Sequence, residues 1–253
     1  MPVYHTAYGS VEMLEWGEGP ELLVMLHAAA AGPQSLAALA ALLKRPGRRV
    51  VAPALNRYGA TVMWDETDRV KAHVDVLRAT LEMHAAERRL LFGHSMGGLV
   101  GLLGAAAFDA MVLYEPIVVA CVEDRRLVEW DRAIVAQQDI AAFVSAWNGV
   151  PWKALPDGVR ARLTAMAPML IADMRAVSYH AVDVERLRDV TMPVLLLQGE
   201  RSPPITHAMT ARLAELLPNA RRMIVEGCGH MGPVQDPTVI AQKIVIPAQA
   251  GTQ

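Results

Sequence analysis

Six residues, Gly93-His94-Ser95-Met96-Gly97-Gly98, constrain this chain more than any other stretch. An apolar run, Leu90-Leu91-Phe92, leads into them, and a segment rich in small residues, Leu99 to Ala107, leads out. Strand, sharp turn and helix in that order give a G-x-S-x-G match mechanical meaning. Glycines are needed because the turn leaves no room for Cβ atoms beside the serine. Ser95 would then stand above a sheet edge, at the positive end of the helix that follows.

The remaining sequence is that of a soluble enzyme-sized chain. At 253 residues it can build one large domain, or a domain with an insert, around a sizeable core. Apolar residues make up 53%, which argues against disorder, and the formal net charge of −2 gives no basic surface for nucleic acid or an anionic membrane. The two cysteines, Cys121 and Cys228, are far apart and fit a reduced cytoplasmic protein better than a disulfide framework. No leader-like segment opens the chain, and no apolar stretch reaches the length of a membrane span.

Read in order, the chain alternates strands and helices. Residues 3–8 and 10–16 read as strands joined at Gly9, and the continuous apolar run Leu22–Leu26 reads as a strand buried on both faces. A helix is expected over 34–44, a strand over 49–52, and an amphipathic helix over 66–86 carrying Val70, Val74, Leu77 and Leu81. The strand 88–93, the turn at Ser95, a helix over 96–107 and the strand 110–114 follow. From Pro116 to Val190 the strand signal disappears. Helices are expected there near 123–137, 139–148, 156–167 and 169–180, the last two separated by Pro168. Strands resume at 193–198 and 221–225 with a helix over 204–217 between them, and Asp236-Pro237 opens a last helix that Pro247 ends. This pattern implies an α/β fold, a mostly parallel doubly wound sheet with an inserted helical cap.

With Ser95 on its turn and Gly229-His230-Met231 in a loop after the last strand, the chain resembles the α/β-hydrolase fold family. The resemblance covers residues 10 to 242 and rests on several features in order: HAAAAG after strand 22–26, GHSMGG, a helical cap, PVLLLQGE and GCGH. It divides the chain into a core of residues 1–115 and 191–253 and a cap of residues 116–190.

The chemistry implied is acyl transfer: a hydroxyl nucleophile, a base to take its proton, and a carboxylate to orient and stabilise the imidazole. Ser95 is the nucleophile and His230 the base. In most of the family the acid follows the strand equivalent to 193–198, where this chain has Ser202. A neutral hydroxyl cannot stabilise an imidazolium as a carboxylate does, and Ser202 before two prolines reads as a helix N-cap. Glu200 and Glu115 compete for the role. Glu115, at the C-terminal end of an otherwise apolar strand, is preferred.

The oxyanion hole is expected from the backbone N–H groups of Met96 and Ala29, with Ala28 standing where similar enzymes carry glycine. His94, Trp147 and Trp152 are candidates for substrate contact. Trp130, Trp147, Trp152, Met166, Met169 and Met174 all lie in the cap, where together they could line an apolar pocket and where each, taken singly, reads more readily as a seam between cap helices. His27 reads as structural, and His5, His73, His84, His180 and His207 as solvated or capping positions.

The expectation is a cytoplasmic serine hydrolase for a small, fairly apolar ester, thioester or lactone. It needs no cofactor and no metal, takes a small-molecule substrate rather than nucleic acid or membrane, and is a monomer or homodimer. The alternatives are C–C hydrolysis or a lyase reaction on the same triad, and a ligand-sensing protein with little turnover. Dehalogenase and epoxide-hydrolase chemistry are disfavoured because they need a carboxylate nucleophile where Ser95 stands.

Overall fold

The computed structural model describes residues 1–244. Nine strands form a single sheet among these residues. The first five are β1 (Val3–His5), β2 (Gly9–Trp16), β3 (Glu21–Leu26), β4 (Arg48–Pro53) and β5 (Val62–Met63). The other four are β6 (Arg88–His94), β7 (Ala110–Tyr114), β8 (Val194–Gly199) and β9 (Ala220–Val225). The sheet order is β1-β2-β4-β3-β6-β7-β8-β9, with β5 paired to β2. The β1–β2 and β2–β4 pairs are antiparallel; from β4 onward every pair is parallel.

Parallel strands covered on both faces need continuous apolar sequence, and alternate residues go to opposite sides. Leu22, Val24 and Leu26 of β3 join one core cluster with Leu91, Met111 and Leu113. Leu23 and Met25 join the other with Leu90, Phe92, Val112 and Tyr114.

The helices are α1 (Ala37–Leu43), α2 (Arg69–Met83), α3 (Met96–Leu103), α4 (Arg125–Ala136), α5 (Ile140–Asn148), α6 (Asp157–Ser178), α7 (Pro204–Leu216), α8 (Gly232–Gln235) and α9 (Pro237–Lys243). A helical insert, α4 to α6, thus lies in sequence between β7 and β8.

Several boundaries differ from the sequence reading. The first strand ends at His5, where the Thr6 hydroxyl donates to the Gly9 carbonyl at 2.9 Å and makes a turn. A 3-10 turn, Pro33–Leu36, precedes α1, and another, Ala105–Ala107, follows α3. Helix α2 starts later than expected, because the Asp68 side chain caps it by accepting the Lys71 N–H at 3.0 Å. The two helices expected around Pro168 are one 22-residue helix, α6, with the proline inside it. Ser202 is not an N-cap: Pro203 holds that position, and Asp236 before α9 makes no side-chain cap bond. The expected stop at Pro247 and the tail after it lie outside the described residues.

Candidate active site

Glycine spacing makes the turn at Ser95 possible. A Cβ on Gly93 would stand 2.8 Å from Gly98 Cα, and one on Gly98 would stand 2.7 Å from Pro116 Cβ. A Cβ on Gly97 would enter the Leu26 carbonyl. Strand β6 and helix α3 therefore close on each other and on β3 without side chains between them. Ser95 itself takes φ 56° and ψ −118°, a conformation that L residues adopt only when their surroundings impose it. Its N–H donates to the Tyr114 carbonyl at 3.0 Å, and its carbonyl accepts the Gly98 N–H at 2.9 Å.

Strand β7 lies beside β6 in register His94 to Tyr114, so the residue after Tyr114 arrives next to Ser95. That residue is Glu115. It is fully buried, has φ 46°, and its N–H donates to the Leu197 carbonyl at 3.0 Å. Its Oε1 accepts the Gly199 N–H at 2.7 Å.

His230 comes from the loop after β9. Its Nδ1 lies 2.6 Å from Glu115 Oε2 and its Nε2 lies 3.1 Å from Ser95 Oγ. These partners assign the tautomer: Nδ1–H donates to the carboxylate, leaving Nε2 to accept the serine proton.

Two residues hold the His230 loop from below. The Tyr114 hydroxyl donates to the Gly229 carbonyl at 2.7 Å, and His94 Nε2–H donates to the His230 carbonyl at 2.8 Å. Burial, and then the neighbouring His230, push the His94 imidazole down to about 3, so it is neutral. His27 is also buried and neutral. Its Nδ1–H donates to the Ala28 carbonyl at 2.8 Å, its Nε2 accepts the Leu55 N–H at 3.0 Å, and burial lowers it to about 4.

Ser95 and His230 open onto a cavity of about 320 Å³ between the sheet's C-terminal edge and the helical insert. Ala29 and Met96 line it on the core side; Ile117, Phe143, Trp147 and Leu163 are among its apolar walls. Met96 is the first residue of α3, so its N–H has no partner within the helix. The Trp147 ring lies 5.1 Å from the His230 ring.

Of the three candidates for substrate contact, Trp147 lines the cavity, whereas His94 and Trp152 do not. His94 does not line the cavity, because its ring is turned beneath the His230 loop. Trp152 does not line it either. It sits in a 3-10 turn held by its N–H to Ser145 Oγ at 3.0 Å, and it packs on the core from outside. Trp130, Met166 and Met169 likewise lie outside the lining, while Met174 belongs to it.

Of the competing acids, Glu200 is exposed and accepts the Gly227 N–H at 2.9 Å. Ser202 Oγ is buried without a hydrogen-bond partner.

Among the cavity-lining groups that sequence reasoning missed is Asp173 on α6, which is fully buried. That reasoning also read His73 as solvated or capping, whereas His73 is buried with Nε2 3.2 Å from Asp173 Oδ1. Acid and histidine on separate helices carry no local signal of meeting.

Among the described residues no group of three or more His, Cys, Asp or Glu side chains could hold a metal ion, and no helix is long and apolar enough to cross a membrane.

A strand–serine–helix turn on a mostly parallel sheet, with a histidine loop after the last strand, defines an α/β hydrolase. The chain belongs to the alpha/beta hydrolase family, whose family model matches residues 23–243. No protein of curated function matches it at the sequence level. Its fold is similar to that of a bromoperoxidase from Bacillus anthracis, with TM-score 0.75, 15% identity and coverage of 93% of this chain and 94% of that one. It is also similar to an esterase from Exiguobacterium antarcticum (TM-score 0.76, 14% identity, 94% of each chain). A third similar structure is MenH from S. aureus, with TM-score 0.74, 21% identity and coverage of 94% and 97%.

Proposed function

We propose that this hydrolase is a serine hydrolase that cleaves a small, fairly apolar carboxylic ester, thioester or lactone through an acyl-enzyme. Ser95 Oγ attacks the carbonyl carbon while His230 Nε2 takes its proton. His230 then returns that proton to the leaving group, and the acyl group stays on Ser95 until water, activated by the same imidazole, releases it. Glu115 orients the ring and stabilises its cation. The Met96 and Ala29 N–H groups hold the negative oxygen of the tetrahedral intermediate. Residues 116–190 serve as a cap that supplies the far wall of the substrate cavity over the core.

The observation that carries this reading is the unbroken line from Ser95 Oγ to His230 Nε2 at 3.1 Å and from His230 Nδ1 to Glu115 at 2.6 Å, opening on an apolar cavity. A carboxyl group, an imidazole and a hydroxyl in series make a proton shuttle, and apolar walls suit an uncharged acyl chain. The test is a panel of chromogenic esters from acetyl to octanoyl with Ser95→Ala as control. Turnover by the wild type that Ser95→Ala lowers by at least about 1,000-fold supports the reading. Equal turnover by the two proteins overturns it.

A further inference from the structure

One cluster beside the cavity has no part in the proton shuttle and spans four segments of the chain. Asp173 Oδ2 accepts the Tyr58 hydroxyl at 2.9 Å, and Oδ1 faces Arg69 Nε as well as His73. Arg69 reaches the same helix a second time, at the Met169 carbonyl, 3.3 Å away. Burial pushes the Asp173 carboxyl up, but the hydrogen bond and charge of His73 and the Arg69 guanidinium outweigh it and hold it below the ordinary value.

The Tyr58 oxygen has a second partner, and this partner belongs to the loop after β3. It accepts the Ala30 N–H at 3.0 Å, while the Tyr58 ring meets His27 edge-on at 4.6 Å. Ala30 has φ 67°, a left-handed conformation that an alanine adopts only under constraint. Ala28 stands two residues earlier, where a glycine would relax the same loop. His27 and the Ala31 N–H hold the Ala28 carbonyl of this turn, Tyr58 holds its Ala30 N–H, and Tyr58 is in turn aimed by Asp173.

We propose that Asp173 is a positioning residue for the oxyanion loop. Through the Tyr58 hydroxyl it holds Ala29 and Ala30 from the helical insert, so that seating of the insert and formation of the oxyanion hole are one event. This rests on the reading of Ala29 as an oxyanion donor. An insert displaced from Tyr58 takes away the acceptor that aims the Tyr58 hydroxyl, so the oxygen that holds the Ala30 N–H is no longer fixed and the loop is free to relax. Ester hydrolysis is thereby confined to molecules in which α6 is docked. Arg69 and His73 keep the carboxylate ionised and turned toward Tyr58.

The experiment compares Tyr58→Phe, Asp173→Asn and the double variant with wild type, measuring kcat, KM and melting temperature on a short ester. Tyr58→Phe keeps the ring against His27 and removes only the hydroxyl. It remains informative if Asp173→Asn does not fold. The expected result is a fall in kcat of about 10- to 100-fold with KM within about threefold, and a double variant no slower than the worse single. Unchanged kcat in folded Tyr58→Phe, or single losses that multiply in the double variant, would overturn the inference. Ser95→Ala run in parallel separates the two readings. If it keeps wild-type turnover, the serine-hydrolase assignment falls; if it is inactive while Tyr58→Phe is fully active, only the positioning role falls.

Discussion

The Glu115 carboxylate meets His230 Nδ1 at 2.6 Å from a strand paired directly with the one that carries Ser95. Its other oxygen is held by the Gly199 N–H at 2.7 Å, so the carboxylate is fixed at both ends. Glu115→Gln keeps the size and removes the charge that steadies the imidazolium. We expect kcat to fall by about 100- to 10,000-fold with the protein still folded. Glu200→Gln and Ser202→Ala should stay within about threefold of wild type. Steady-state kinetics of the three variants decides the matter, and a larger loss in Glu200→Gln would reject Glu115 as the acid.

The glycines around Ser95 predict a stability effect independent of any reaction. A Cβ on Gly98 would stand 2.8 Å from Pro116 Cα and 2.7 Å from its Cβ, with no flexible side chain to give way. Gly98→Ala should destabilise the fold by about 1–3 kcal/mol or more, read from urea unfolding. Gly149→Ala makes a useful contrast. Nothing lies within 4 Å of its added methyl, so only the left-handed φ of 63° opposes it, and a cost near 1 kcal/mol is expected. Equal stability of Gly98→Ala and wild type would refute the close approach of α3 to the Glu115-Pro116 turn.

Buried neutral histidines make stability depend on pH in a fixed direction. His27 is lowered to about 4 and His94 to about 3, against about 6.5 in an unfolded chain. Between those values the unfolded chain binds protons that the folded one does not. Their stabilising effect is complete above about 6.5 and is lost as the pH falls, at about 1.4 kcal/mol per histidine per pH unit. His94→Gln, which can still donate to the His230 carbonyl, should give a flatter decline between pH 6.5 and 5. Urea midpoints at four pH values test this, and identical slopes would count against it.

Trp147 forms one wall of the cavity and covers the His230 ring at 5.1 Å. Trp147→Ala should raise KM for acetyl esters by about tenfold and move the preferred acyl chain toward octanoyl, because the lost indole leaves room that a longer chain can fill. An unchanged chain-length profile would place the acyl group elsewhere.

Much of this architecture was legible in the sequence because its signals are local. Leu22–Leu26 and Ala110–Tyr114 are continuous apolar runs, and both are strands buried on two faces. What escaped was set by neighbours rather than by local pattern. Val62–Met63 is too short to carry a period, yet it pairs with Gly9 and Ser10 of β2. Pro168 reads as a break, but Arg69 braces α6 beside it through Asp173 and the Met169 carbonyl, and the helix continues. At the site, Ser95, His230 and Glu115 are expected from their places at strand ends, and topology brings His230 within hydrogen-bond distance of the other two. His94, next to Ser95 in sequence, donates to the His230 carbonyl and is not among the residues that line the cavity. Asp173 carries no local signal, because its partners Tyr58, Arg69 and His73 come from distant parts of the chain.

The bond from Gly199 to Glu115 has a consequence for how this site could vary. Strand β8 reaches the carboxylate through a main-chain N–H, so what it contributes does not depend on the side chains that follow it. The turn Glu200–Pro203 instead steadies the loop that carries His230, through the Glu200 carboxylate on the Gly227 N–H at 2.9 Å and the Arg201 N–H on the Cys228 carbonyl at 2.8 Å. On the proposed reading of Glu115, a search for similar enzymes by an acid placed after that strand would pass over this chain. A search for a glutamate one residue past the strand beside the nucleophile would find it.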